Sequence, residues 1–165
     1  MSSFSRRNIL SAFCMASLLG ACGFTPIYGD GSAASNLYGK IEIGTGKGRE
    51  FFEMRERLIE RFGFADTPQY NLTYTFVADS KGLAVSTSAE ITRYNLYAIS
   101  NFKVTDITSG AVVFSGVVKS TTAYSATSET YPTRAAQQDA RVRLATSLAD
   151  KIITRISGTA AQWAK

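Results

Sequence analysis

One side chain has reactive chemistry arranged around it: the thiol of Cys22. It follows Leu19-Gly20-Ala21, which places Leu three residues and Ala one residue before it, and it closes a short apolar stretch over residues 9–19 that begins after Arg6-Arg7. A basic segment, an apolar segment and small residues before a cut form a secretory signal peptide. A cysteine just beyond the cut completes a bacterial lipobox. In that chemistry the thiol receives a diacylglycerol, the chain is cut before Cys22, and the new amine takes a further acyl chain of the palmitate type. An ordinary signal peptide with a chance cysteine is the other reading these residues leave open. A transmembrane helix fits poorly, because spanning needs about 20 apolar residues. Each buried methylene contributes about 0.8 kcal/mol and stable anchoring takes more than one chain. A lipidated Cys22 would therefore hold the protein at a membrane permanently.

Little else in the chain is equipped for covalent chemistry. Histidine is absent, which removes Ser-His-Asp triads and most zinc sites. The glycine-rich run Gly44-Thr45-Gly46-Lys47-Gly48 matches neither dinucleotide nor phosphate-loop spacing and reads as a turn. The 13 acidic residues show no paired arrangement that nominates an acid and a base. A non-enzymatic protein is expected, with no cofactor or metal beyond a covalent lipid on Cys22. Removing Arg6 and Arg7 lowers the 18 basic residues to 16, so the mature chain from Cys22 carries only +3. That is no nucleic-acid signature, although it favours an anionic partner slightly. Cys14 leaves with the signal peptide, so no free thiol and no disulfide is expected. Ser5-Arg6-Arg7-Asn8-Ile9-Leu10 also resembles a twin-arginine export motif, leaving both the general and the twin-arginine routes open.

Around these residues the chain divides into a signal peptide over residues 1–21, a lipidated tether over 22–36, one domain over 37–158 and a tail over 159–165. Residues 40–43 alternate and read as a strand. Residues 49–62 place Phe51, Met54, Leu58 and Phe62 at helical spacing, with Phe52 and Ile59 widening the apolar face. Glu53 and Arg57 stand four apart in the favourable order, and Gly63 is a natural stop. Residues 70–76 alternate strictly and read as a half-buried strand. Asp79-Ser80-Lys81-Gly82 has turn chemistry. From residue 91 to 105 the alternation returns, with Tyr94, Leu96, Ala98, Phe102 and Val104 on one face and Arg93, Asn95, Asn101 and Lys103 on the other, joined there by Tyr97 and Ile99. Thr108-Ser109-Gly110 is a hairpin turn, followed by a strand over residues 111–123 with Val112, Phe114 and Val118 on one face. Strands of about thirteen residues reach roughly 43 Å, long enough to project beyond helices covering their base. A loop carrying Tyr131-Pro132 precedes a helix over residues 134–156, with Leu144, Ala145, Leu148, Ala149, Ile152, Ile153 and Ile156 inward, and Gly158 ends it before a tail with Trp163.

The order β-α-β-β-β-α predicts an α+β two-layer sandwich, with two amphipathic helices packed on one face of a roughly four-stranded, mostly antiparallel sheet. The second sheet face, with Tyr97 and Ile99 among Arg, Asn and Lys, suits either solvent or a contact surface.

The opening "LLGACGFTPIYG" resembles that of the outer-membrane lipopolysaccharide-assembly lipoproteins, the LptE family, through Cys22, Gly23, Phe24, Pro26, Ile27, Tyr28 and Gly29. The stretch "AEITRYNLYAISNFKVTD" is similar to that family's long central strand. "GAVVFSGVVKSTTAYSATSETYPTRAAQQDARVRLATSLADKIITRI" is similar to its return strand, loop and final helix. The resemblance implies a lipid-anchored protein on the periplasmic face of the outer membrane, a location that Gly23 in place of Asp also favours. It implies a plug that helps assemble the LptD-type β-barrel translocon and assists insertion of lipopolysaccharide into the outer leaflet. Basic residues near strand and loop ends are the family's lipopolysaccharide contacts. The positions here able to take that part are Arg93, Lys81, Lys119 and Arg134, with Arg93 preferred because it lies near the end of the long strand, opposite the core face. Two other readings share the anchor and the small α+β domain: an auxiliary lipoprotein of a lipid-transport ABC system, and a secretin pilotin. A periplasmic hydrolase would need a nucleophile and base that the residues do not offer.

Overall fold

The computed structural model describes residues 32–85 and 91–164; the expected signal peptide over residues 1–21, Cys22 and most of the expected tether lie outside them. A short 3-10 turn, Ser35–Leu37, leads into strand β1 (Ile41–Ile43) and helix α1 (Arg49–Phe62). Strands β2 (Tyr70–Tyr74), β3 (Val77–Val85), β4 (Ile91–Asp106) and β5 (Val112–Ser125) follow, and helix α2 (Thr130–Trp163) closes the chain. The sheet is mixed and open, and the composition is α+β as expected: β1 runs parallel to β2, and every other pairing is antiparallel.

The central strand is β4. β5 lies along one of its edges, while β2 and β3 share the other. Tyr74 pairs with Phe102 and Val77 with Ile99, so the register runs on unchanged from β2 into β3. At the break, the Thr75 N–H donates to the Asn101 carbonyl and the Asn101 N–H donates to Thr75 Oγ1, both at 3.0 Å. The threonine hydroxyl stands in for a backbone acceptor, and β2 and β3 behave as one bent strand. This corrects the reading of Asp79-Ser80-Lys81-Gly82 as a turn: all four lie in β3. Local turn propensity yields there to a partner strand that offers a ladder of hydrogen bonds.

Both helices cover one face of the sheet. In α1, Met54, Leu58, Ile59 and Phe62 are buried, whereas Phe52 is largely exposed. Glu53 pairs with Arg49 instead of Arg57, which turns to Glu60 and Asp150. Gly63 ends α1 as expected: its φ is +74°, its N–H donates to the Ile59 carbonyl at 2.7 Å, and a Cβ there would sit 2.8 Å from the Tyr38 ring. Only glycine meets both demands.

The second helix departs further from expectation. It has 34 residues, about 51 Å of helix, and runs beside β5 along the strand's length. The long hairpin therefore does not project past its covering helix. Tyr131 and Pro132 fall in the first turn of α2, where a proline loses no hydrogen bond. Gly158 does not stop the helix. An interior glycine costs about 1 kcal/mol relative to alanine, but Ile156, Ser157 and Ala160 are buried around it, and Trp163 meets Tyr70 edge-on at 5.3 Å and stacks with Phe114 at 6.1 Å. On β5, Phe114 and Val118 face the helices but Val112 does not. The partner of Val104 is Phe114 and the partner of Thr105 is Val112, so an extra residue enters the strand and turns Val112 outward.

Candidate functional site

The helix layer pairs several of its own charges. Arg141 Nε donates to Glu50 Oε1, tying α2 to α1. Arg57 donates to Asp150 and to Glu60, both at 2.7 Å. Burial works against ionisation of Glu50, yet the Arg141 hydrogen bond and the Arg141 and Arg49 charges hold its carboxyl below the usual range. A hollow of about 450 Å³ between the helices is lined by Arg57, Glu60 and Asp150 with Arg61, Ile153 and Thr154. No group of acidic, cysteine or histidine side chains among the described residues could hold a metal. Burial pushes the Tyr74 hydroxyl up to about 12, with Arg55 opposing, and that hydroxyl donates to the Phe51 carbonyl at 3.3 Å. A phenol so placed stays protonated at neutral pH and has no role as a base.

The open sheet face differs. Alternation along β4 sends Leu96, Ala98, Ser100, Phe102 and Val104 into the core and leaves the odd positions uncovered by any described element. Pairing extends them into rows across the sheet. Asp79, Tyr97 and Thr121 form one row, Val77, Ile99 and Lys119 the next, then Thr75, Asn101 and Val117, then Thr73, Lys103 and Ser115. Toward the β3–β4 connection lie Lys81 with Asn95 and Ala123, and beyond them Arg93 with Ser125. The centre is apolar: Val77 stands directly across from Ile99, Val117 is diagonal to it, Tyr97 is two residues along, and all four are exposed.

Cations surround this island. Lys81, Arg93, Lys103 and Lys119 all stand on the face, and none of them pairs with a carboxylate among the described residues. Among the described residues, Asp79 and Glu42 are the acidic ones there. Lys81 Nζ lies 6.0 Å from the Tyr97 ring centroid, the outer limit of a cation–π contact. The Asn95 amide donates to the Tyr97 hydroxyl at 3.3 Å. Ten residues separate Arg93 from Lys103, about 34 Å along the strand. The charges thus mark a long strip instead of converging on a pocket.

Three of the four cations nominated from sequence, Lys81, Arg93 and Lys119, come together on this face. Arg134 does not: it is exposed near the start of α2, in the helix layer. Lys103 belongs with the three, and the alternation of β4 was the signal for it. The β3 contribution, Val77 and Lys81 beside β4, was not legible while residues 79–82 read as a turn.

No helix among the described residues is long and apolar enough to cross a membrane. Among solved structures, a lipoprotein from Caulobacter crescentus CB15 is similar to this chain with a TM-score of 0.63 at 23% identity, covering 79% of this chain and 96% of its own. The rare lipoprotein B from Shewanella oneidensis is similar with a TM-score of 0.57 at 15% identity, covering 74% and 95%. A minor lipoprotein from Acinetobacter baumannii gives 0.53 at 14%, covering 73% and 90%. At these identities the likeness is one of fold. No curated protein matches the sequence. The family model described as "LptE: Lipopolysaccharide-assembly" matches residues 41–156.

Proposed function

Since the chain belongs to the LptE family of lipopolysaccharide-assembly lipoproteins, we propose that it is anchored through Cys22 to the periplasmic face of the outer membrane. There it plugs and helps assemble an LptD-type β-barrel translocon, and it assists insertion of lipopolysaccharide into the outer leaflet without catalysing a reaction. The observation that carries this reading is the open sheet face. An apolar island of Val77, Tyr97, Ile99 and Val117 with Lys81, Arg93, Lys103 and Lys119 at its margins suits an anionic amphiphile. Aliphatic surface receives acyl chain, and ammonium and guanidinium groups receive phosphate. Apart from Asp79 and Ala123, the remaining odd positions of the rows are Thr, Ser and Asn, the kind of surface that can lie against the polar lumen of a barrel. Arg93, Lys81 and Lys119 are assigned to the lipopolysaccharide-facing strip. Arg134, in the other layer, is assigned to it only if the ligand reaches around the strand ends.

The test is an affinity pull-down of tagged full-length protein from detergent-solubilised outer membranes, with mass spectrometry of the material recovered. A large β-barrel of the lipopolysaccharide-assembly type, near one to one, is the expected result. Recovery of an ABC-system component or a secretin instead would overturn the proposal.

A further inference from the structure

The edge of β5 is the longest regular edge in the sheet. Asn101 exchanges its backbone groups with Thr75, so its partner across β4, Val117, carries an N–H and a carbonyl turned away from the sheet. Alternation gives Lys119, Thr121 and Ala123 the same outward backbone. Such a row is a template for another strand. The other free edges are blunted: β1 has three residues, and β3 shifts register between Gly82 and Val85.

Helix α2 meets this row with a stripe at four-residue spacing: Arg143, Ser147, Lys151 and Arg155. Arg143 Nη2 donates to the outward carbonyl of Ala123 at 3.2 Å, and Lys151 Nζ donates to that of Lys119 at 2.6 Å. Between them the Ser147 and Ser120 hydroxyls lie 2.7 Å apart, holding helix and strand close. The geometry fits by length. Eight helical residues from Arg143 to Lys151 rise about 12 Å, and four strand residues from Lys119 to Ala123 cover about 13 Å. Arg155 continues the stripe toward Gly116, its Nη1 lying 3.8 Å from where a Cβ on that glycine would stand. It overhangs a hollow of about 490 Å³ lined also by Val117, Val118, Lys119, Lys151 and Thr154.

We propose that Arg143 and Lys151 guard the β5 edge, occupying its outward carbonyls so that a second copy of this chain cannot add its own β5 across a two-fold axis. The inference does not depend on what the open sheet face binds. Its test is sedimentation velocity of the full-length protein in detergent, over a range of concentrations, for the parent, for Arg143→Ala/Lys151→Ala, and for the same pair with Val117→Pro. The outward N–H of Val117 makes no ladder bond, so proline there is compatible with the native strand and would block an incoming one. The parent should stay monomeric, the double variant should form a concentration-dependent species of roughly doubled mass, and the triple variant should return to monomer. A double variant that stays monomeric, or a dimer that survives Val117→Pro, would overturn the proposal. Lys151→Met keeps the stem and loses only the donor. It is read by the same criteria should the double variant not fold.

Discussion

Trp163→Ala asks whether the last turns of α2 belong to the cooperative fold. The indole is half-buried, meets Tyr70 edge-on at 5.3 Å, stacks with Phe114 at 6.1 Å, and donates from Nε1 to Thr159 Oγ1 at 3.1 Å. Each aromatic pair contributes about 0.5–1.5 kcal/mol beyond area burial, and truncating a fully buried Trp or Phe costs about 3–5 kcal/mol. Partial exposure and a position in the last turn of the helix lower this to about 2–3 kcal/mol. At about 3 °C per kcal/mol for a domain of this size, Tm should fall by about 6–9 °C. Trp163 is the sole tryptophan, so its fluorescence in the parent reports the helix end directly, and the variant is followed by far-ultraviolet circular dichroism in urea. In the parent the two signals should give coincident transitions. A variant within about 0.5 kcal/mol of the parent, or a fluorescence transition that precedes the loss of helix, would refute the docking of α2 beyond Gly158.

Four other outcomes are expected. Glu50→Gln should cost about 1 kcal/mol at neutral pH. Because the native carboxyl is held below its usual value of 4.5, that contribution is complete above the unfolded value and is lost as pH falls through the native one; a parent–variant difference in urea midpoint that grows below pH 4.5 would contradict this. Gly63→Ala should destabilise by about 1–3 kcal/mol, measurable by thermal melting, because φ is +74° and Tyr38 leaves no room for a Cβ. Arg93→Glu should weaken lipopolysaccharide binding about fivefold in a titration at fixed salt, and an unchanged affinity removes Arg93 from the strip. Cys22→Ser should abolish acylation, so acyl chains persisting in an intact-mass spectrum would end the lipobox reading.

Period and composition were enough for the elements whose burial repeats in sequence. The faces of β4 and α2 could be read residue by residue, because one apolar face per element is a local property of the chain. The stop at Gly63 was also local, a residue type suited to one backbone angle. Lys81, Arg93 and Lys119 could be nominated as cations near strand ends, but alternation alone could not say that β3 would carry Lys81 beside β4. What the tertiary structure decided is wherever a neighbour outweighs a local preference. Asp79-Ser80-Lys81-Gly82 extends because β4 supplies hydrogen-bond partners. Gly158 stays helical because Trp163 docks on Tyr70 and Phe114. Val112 turns outward because the register slips by one residue opposite Val104 and Thr105. The joining of three strands' odd positions into one face, and the meeting of Arg143 and Lys151 with the β5 edge, are likewise tertiary. They depend on distances between residues far apart in the chain, which packing sets and no periodicity within one segment encodes.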